Sequence, residues 1–133
     1  TLQGEQEIDR DAYLYELNPH MHFRGKYMNY TAEYPDGTSE VLLSVPKYDF
    51  NWQFNYVLEE PLFLPAGTKL VARGAMDNSA QNPGNPDPSK PVHFGLQTMH
   101  EMFFGFTTLR YVGDTPASIV AVDKDATANP GAE

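Results

Sequence analysis

Between residues 12 and 76 apolar and polar side chains alternate at short range, in YLYEL at 13–17, YMNYTAEY at 27–34, EVLLSV at 40–45, FNYVLEE at 54–60 and TKLVARGAM at 68–76. A period of two sends successive side chains to opposite faces, so these runs predict strands and almost no helix. PDG at 35–37 supplies a turn, and 27–45 predicts a hairpin. PLFLPAG, with Pro65 and Gly67, predicts a turn between the next two strands. DNSAQNPGNPDPSKP, 77–91, carries four prolines and no large apolar side chain. It cannot pack a core and predicts an exposed functional loop. VHFGLQTMHEMFFGFTTLRYV, 92–112, returns to strand chemistry, while residues 1–11 and 114–133 are expected at the periphery or frayed. No repeat of solenoid or propeller period is present. Several short strands separated by Pro/Gly turns predict an all-β fold, an antiparallel jelly-roll β-sandwich.

The length, 133 residues, suits one domain with a real core. Nine Lys and Arg against 18 Asp and Glu give a formal net charge of −9. With no basic cluster to offset it, this charge repels phosphate backbones and anionic membrane, so no nucleic-acid partner is expected. No apolar run approaches the length that spans a bilayer, and no membrane insertion is expected. The chain opens TLQGEQEIDR, which fits a mature chain after signal removal or a piece of a larger protein. The absence of cysteine removes disulfides and thiolate chemistry and leaves the redox compartment open. Any soft metal ligand must then be one of the five methionines.

The sequence contains no nucleophile elbow, no phosphate-cradling loop and no dinucleotide fingerprint. What remains is a set of four histidines, His20, His22, His93 and His100, with nearby carboxylates and methionines. On a strand, His20 and His22 of NPHMHFRGK share one face and can chelate one ion. The same spacing also suits two polar residues on a wet sheet face. QTMHEMFFGF, 97–106, offers Met99 and Met102, and a thioether beside two imidazoles selects copper, Cu(I) above all, over zinc or magnesium. A lone Met is equally at home as core filler. Glu101 and Asp77 lack a paired carboxylate at a spacing that would define a hard-cation site.

His20-x-His22 within PHMHFRGK, followed some eighty residues later by Glu101-Met102 at the head of an aromatic strand, resembles the copper type II, ascorbate-dependent monooxygenases. The likeness is to the C-terminal domain of peptidylglycine α-hydroxylating and dopamine β-monooxygenases. YDFNWQ at 48–53, LPAGTKL at 64–70 and the 77–91 loop resemble bacterial members, and the likeness covers roughly residues 12–112. It implies one copper per chain, held by His20, His22 and Met102, with His100 and Glu101 behind them. It also implies dioxygen and a small substrate as partners, and an extracellular or periplasmic location.

Where the peptide-amidating members hold a substrate carboxylate with Arg and Tyr, this chain has Asn18 and Phe106. A peptide C-terminus would lose a charge partner and a hydrogen bond, so amidation is not expected. Phe103 replaces the Cys that follows the Met in animal members, and His100 replaces an Asp. The three-histidine copper site of the family's N-terminal domain has no counterpart here. The resemblance therefore implies an upstream second-copper or redox domain, without which this piece is inactive. Two classes remain: the oxygen-binding half of a monooxygenase, or a non-catalytic module that binds copper, protein or carbohydrate. Aromatics at 13% of residues would suit the last.

Overall fold

A computed structural model describes residues 1–114 of the chain. Its strands are β1 (Leu2–Glu7), β2 (Ala12–Met21), β3 (Gly25–Glu33), β4 (Ser39–Val45), β5 (Tyr56–Leu64), β6 (Lys69–Met76) and β7 (Phe103–Tyr111). The described residues contain no helix. All pairings are antiparallel, and they build a four-stranded sheet, β1-β6-β3-β4, and a three-stranded sheet, β5-β2-β7.

The expected hairpin is β3-β4, turned at Gly37, whose φ of 86° suits glycine alone. Gly67, at φ 89°, makes the β5-β6 turn, although β5 runs on through PLFL before reaching it. Residues 2–7, expected at the periphery, form an edge strand on β6. The 77–91 segment is a loop, as its prolines require. The 92–112 run differs from expectation, because only 103–111 is a strand and 92–102 is turns joined by an isolated bridge from Phe94 to Glu101. Alternating aromatics read as strand there, but Gly95 and the Gln97-to-His100 turn break the ladder. Of the tail expected to fray, 115–133 lies outside the described residues.

Alternation along β2 explains the core. Ala12, Leu14, Leu17, Pro19 and Met21 are buried, while the residues between them are half-exposed. A bulge between Leu14 and Glu16 shifts the phase by one residue, which keeps both ends of the strand facing inward. Met28, Tyr30, Ala32, Leu70 and Ala72 of the other sheet join them in one cluster. The sheets approach closely at Gly105 of β7, where an added Cβ would lie 2.6 Å from Ala72 Cβ and 3.0 Å from Tyr30 Cε1. Tyr30 Oη donates to the Phe106 carbonyl at 3.4 Å, which ties the two sheets there. The candidate chemistry lies on the opposite, outer face of β5-β2-β7.

Candidate metal centre

Register assembles the outer face. Asn18 pairs with Phe106 and His20 with Phe104, and the ladder ends at Met21 opposite Phe103. One step further places His22 opposite Met102. Directly opposed residues of an antiparallel pair share a face, so His20, His22 and Met102 belong to the same side of the sheet. On the other flank of β2, Leu17 pairs with Tyr56. Continuing that register sets Asn18 against Asn55 and His20 against Gln53, and both pairs are hydrogen-bonded.

The two imidazoles are oriented by different partners. Gln53 donates its Nε2–H to the Phe50 carbonyl at 2.8 Å, so its Oε1 is the atom that faces His20 Nδ1, at 2.7 Å. An amide oxygen can only accept, hence His20 carries its proton on Nδ1. His22 Nδ1 lies 3.2 Å from the carbonyl of His100, another pure acceptor. In both rings this leaves the lone pair on Nε2, the arrangement that metal-binding histidines adopt. Burial lowers the pKa of His22, opposed first by the bond to the His100 carbonyl, with a smaller lowering from His20 and a smaller raising by the Gln97 carbonyl. The neutral ring that a metal requires is thus favoured.

The ring centroids of His20 and His22 are 5.2 Å apart and edge-on. Two imidazole nitrogens bonded to one ion at about 2.0 Å hold their centroids within about 6 Å, so the pair fits a single ion. Among the described residues no three His, Cys, Asp or Glu side chains gather at one point. The third ligand that the resemblance implies is the thioether of Met102. Met102 is 8% exposed and stands in register beside His22, whereas Met99 is 55% exposed on the turn before it. The donor set of two nitrogens and one soft sulfur fits copper.

His100 contributes its carbonyl to His22 and packs its ring on His93, with centroids 4.5 Å apart. Glu101 accepts from Asn78 Nδ2 at 2.6 Å, so its carboxylate fastens the 77–91 loop. Three residues that sequence reasoning left without a role hold this end of the molecule. Gln53 orients His20. Tyr48 Oη accepts from the Met21 N–H at 3.0 Å and donates to the Met21 carbonyl at 2.7 Å. This satisfies both groups on the flank that β5 no longer covers. Arg24, 3% exposed, donates to Asn85 Oδ1 at 3.0 Å and to the Met99 carbonyl, while its own carbonyl accepts from Asp77 N–H at 2.8 Å. The only sequence signal for Gln53 and Tyr48 is their shared YDFNWQ segment. For Arg24 it is the place two residues past His22.

Beside the histidines the face is apolar and open. Phe104 and Phe106 stack at 5.5 Å, are 41% and 53% exposed, and Phe106 reaches the His20 ring at 6.1 Å. The Asn18–Asn55 amide pair adjoins them without a formal charge. No protein-family model matches the chain, and no curated protein matches it.

Proposed function

We propose that this chain is a mononuclear copper-binding domain acting as the oxygen- and substrate-binding half of a copper-dependent monooxygenase. In this reading the two packed sheets form a jelly-roll type of sandwich, and His20, His22 and Met102 hold one copper ion. The reading also places the protein outside the cytoplasm, and takes electrons from ascorbate or a similar reductant through a second-copper or redox domain. The observation that carries it is the pair of imidazoles with Nδ1–H fixed by Gln53 and by the His100 carbonyl, which leaves the lone pair of each on Nε2, with Met102 one step beyond the end of the β2-β7 ladder.

When bound, copper supplies redox chemistry with dioxygen, and two nitrogens with a sulfur leave coordination positions open for it. The chain's own residues orient and shield. Gln53 and the His100 carbonyl fix the rings. Phe104 and Phe106 offer an apolar wall for the C–H bond to be hydroxylated. Asn18 and Phe106, standing where the resemblance would place Arg and Tyr, turn the substrate away from peptide carboxylates. The alternative, a non-catalytic binding module, is favoured by one observation. Trp52 is 66% exposed and packs on Phe54 at 4.7 Å, a surface aromatic pair of the kind that stacks on sugars.

Anaerobic titration of the apo-protein with Cu(I) tests the proposal. One ion per chain is expected, with weaker uptake in His20→Ala and Met102→Ala. X-ray absorption of the Cu(I) form should show a sulfur scatterer that disappears in Met102→Ala. Absence of uptake by the wild type rejects the site, and an unchanged spectrum removes Met102 from it.

A further inference from the structure

Beyond the turn that carries Met99 and His100 lies a cleft of about 370 Å³ with the Arg24 side chain in its wall. Arg24 is almost wholly buried, yet both of its engaged nitrogens meet neutral acceptors, the Asn85 amide oxygen and the Met99 carbonyl. The ion pairs among the described residues join Arg10 to Asp114, Arg73 to Glu33 and Lys90 to Asp87, and none involves Arg24. A buried cation without a counter-charge is costly and calls for an anion. Its Nη2 has no partner among the described residues, and it is not sealed off, since the only sealed and unpartnered side-chain nitrogen or oxygen there is His100 Nδ1. The His100 ring lines the same cleft, but its unpartnered Nδ1 is sealed against Gly95, so the open polar capacity there belongs to Arg24.

The remaining lining says which anion fits. Asp87 is the one carboxylate on the wall, and it is already engaged by Lys90 at 3.3 Å and by the Ser89 hydroxyl at 2.6 Å. The cleft therefore keeps the positive charge of Arg24 inside a molecule of formal net charge −9. His93 stands at its rim, and Pro91, Val92 and Met99 give it an apolar side. We infer that this cleft binds a small organic carboxylate, its oxygens on Arg24 Nη2 and its short apolar body against Val92 and Met99. The site is separate from the Asn18 and Phe106 face and does not rest on the copper reading.

The test is a titration of the whole chain with sodium propionate, propionamide and inorganic phosphate, followed by amide shifts in NMR spectra. Saturable shifts confined to residues around Arg24 and 85–100 are expected with propionate alone. Shifts of equal size with propionamide, or phosphate binding at least as tightly as propionate, would overturn the assignment. Arg24→Gln should weaken propionate at least about tenfold, as expected for loss of a charged hydrogen-bond donor. Because that variant risks unfolding, two rim variants provide an independent reading. Lys90→Gln leaves Asp87 uncompensated and should weaken binding severalfold, whereas Asp87→Asn keeps an oxygen for the Ser89 turn and should strengthen it. Unchanged affinity in both rim variants rejects the site.

Discussion

Tyr48 does at one position what a missing strand would do. β5 pairs with β2 only as far as Leu17, so the Met21 backbone between the two histidines has lost its neighbour on that side. The Tyr48 hydroxyl replaces it by accepting and donating at once. Tyr48→Phe is expected to cost about 1–3 kcal/mol, the penalty for leaving buried polar groups unpaired, measurable by urea unfolding. Gln53→Ala should leave stability nearly unchanged and weaken Cu(I) about ten- to a hundredfold by releasing the His20 ring. Burial pushes the Tyr48 phenol up to about 12, and raises Tyr30 further. A raised folded-state pKa contributes stability that is whole below the ordinary value of 10 and is lost as pH rises through the folded value. Tyr34 is likewise raised to about 12, by burial and its bond to Glu40, so base titration followed by tyrosinate absorbance should show these three of the eight tyrosines ionising last, the buried Tyr30 and Tyr48 together with loss of the fold. At this scale the sequence exposed the ligand types and little of what orients them. His20 and His22 announce themselves by a spacing of two, whereas Gln53 and Tyr48 arrive through register and a loop, which leave no local pattern.

Among elements, the pairing of β2 with β7 decides the site, since its register, continued one step past Met21 and Phe103, sets His22 opposite Met102. Its position over the second sheet depends on Gly105, where there is no room for a methyl group against Ala72 and Tyr30. Gly105→Ala should lower stability by about 1–3 kcal/mol through overpacking, seen as a reduced Tm. If the strands separate, Cu(I) affinity should fall with it. The strands from 12 to 76 were readable because buried and more exposed residues alternate along β2 and β3, and the turns carry Gly37 and Gly67. β7 was overextended by the same reasoning. Exposed phenylalanines on its outer face imitate core alternation, and the turns at 92–102 hold aromatics as well. The β1 edge strand, LQGEQE, gave no apolar signal because nearly all of it is exposed and its pairing with β6 is a matter of backbone.

For the molecule as a whole, all four histidines gather at one end, by the His20–His22 pair, the His22 bond to the His100 carbonyl and the His93–His100 packing. They leave no separate three-histidine set for a second copper. The chain supplied with Cu, ascorbate and dioxygen is accordingly expected to give no hydroxylated product, by mass spectrometry of small-molecule candidates. Turnover at a monooxygenase rate would show that one copper domain suffices. The bond from His22 Nδ1 to the carbonyl of a residue 78 positions later has a further consequence. Everything from β3 to the 77–91 loop lies between the two halves of the centre, and Met102 comes after all of it. During synthesis the histidines leave the ribosome early, and Met102 reaches them only once β7, the last strand among the described residues, has emerged and docked. In the proposed centre, tight metal capture would thus report that β7 has docked on β2.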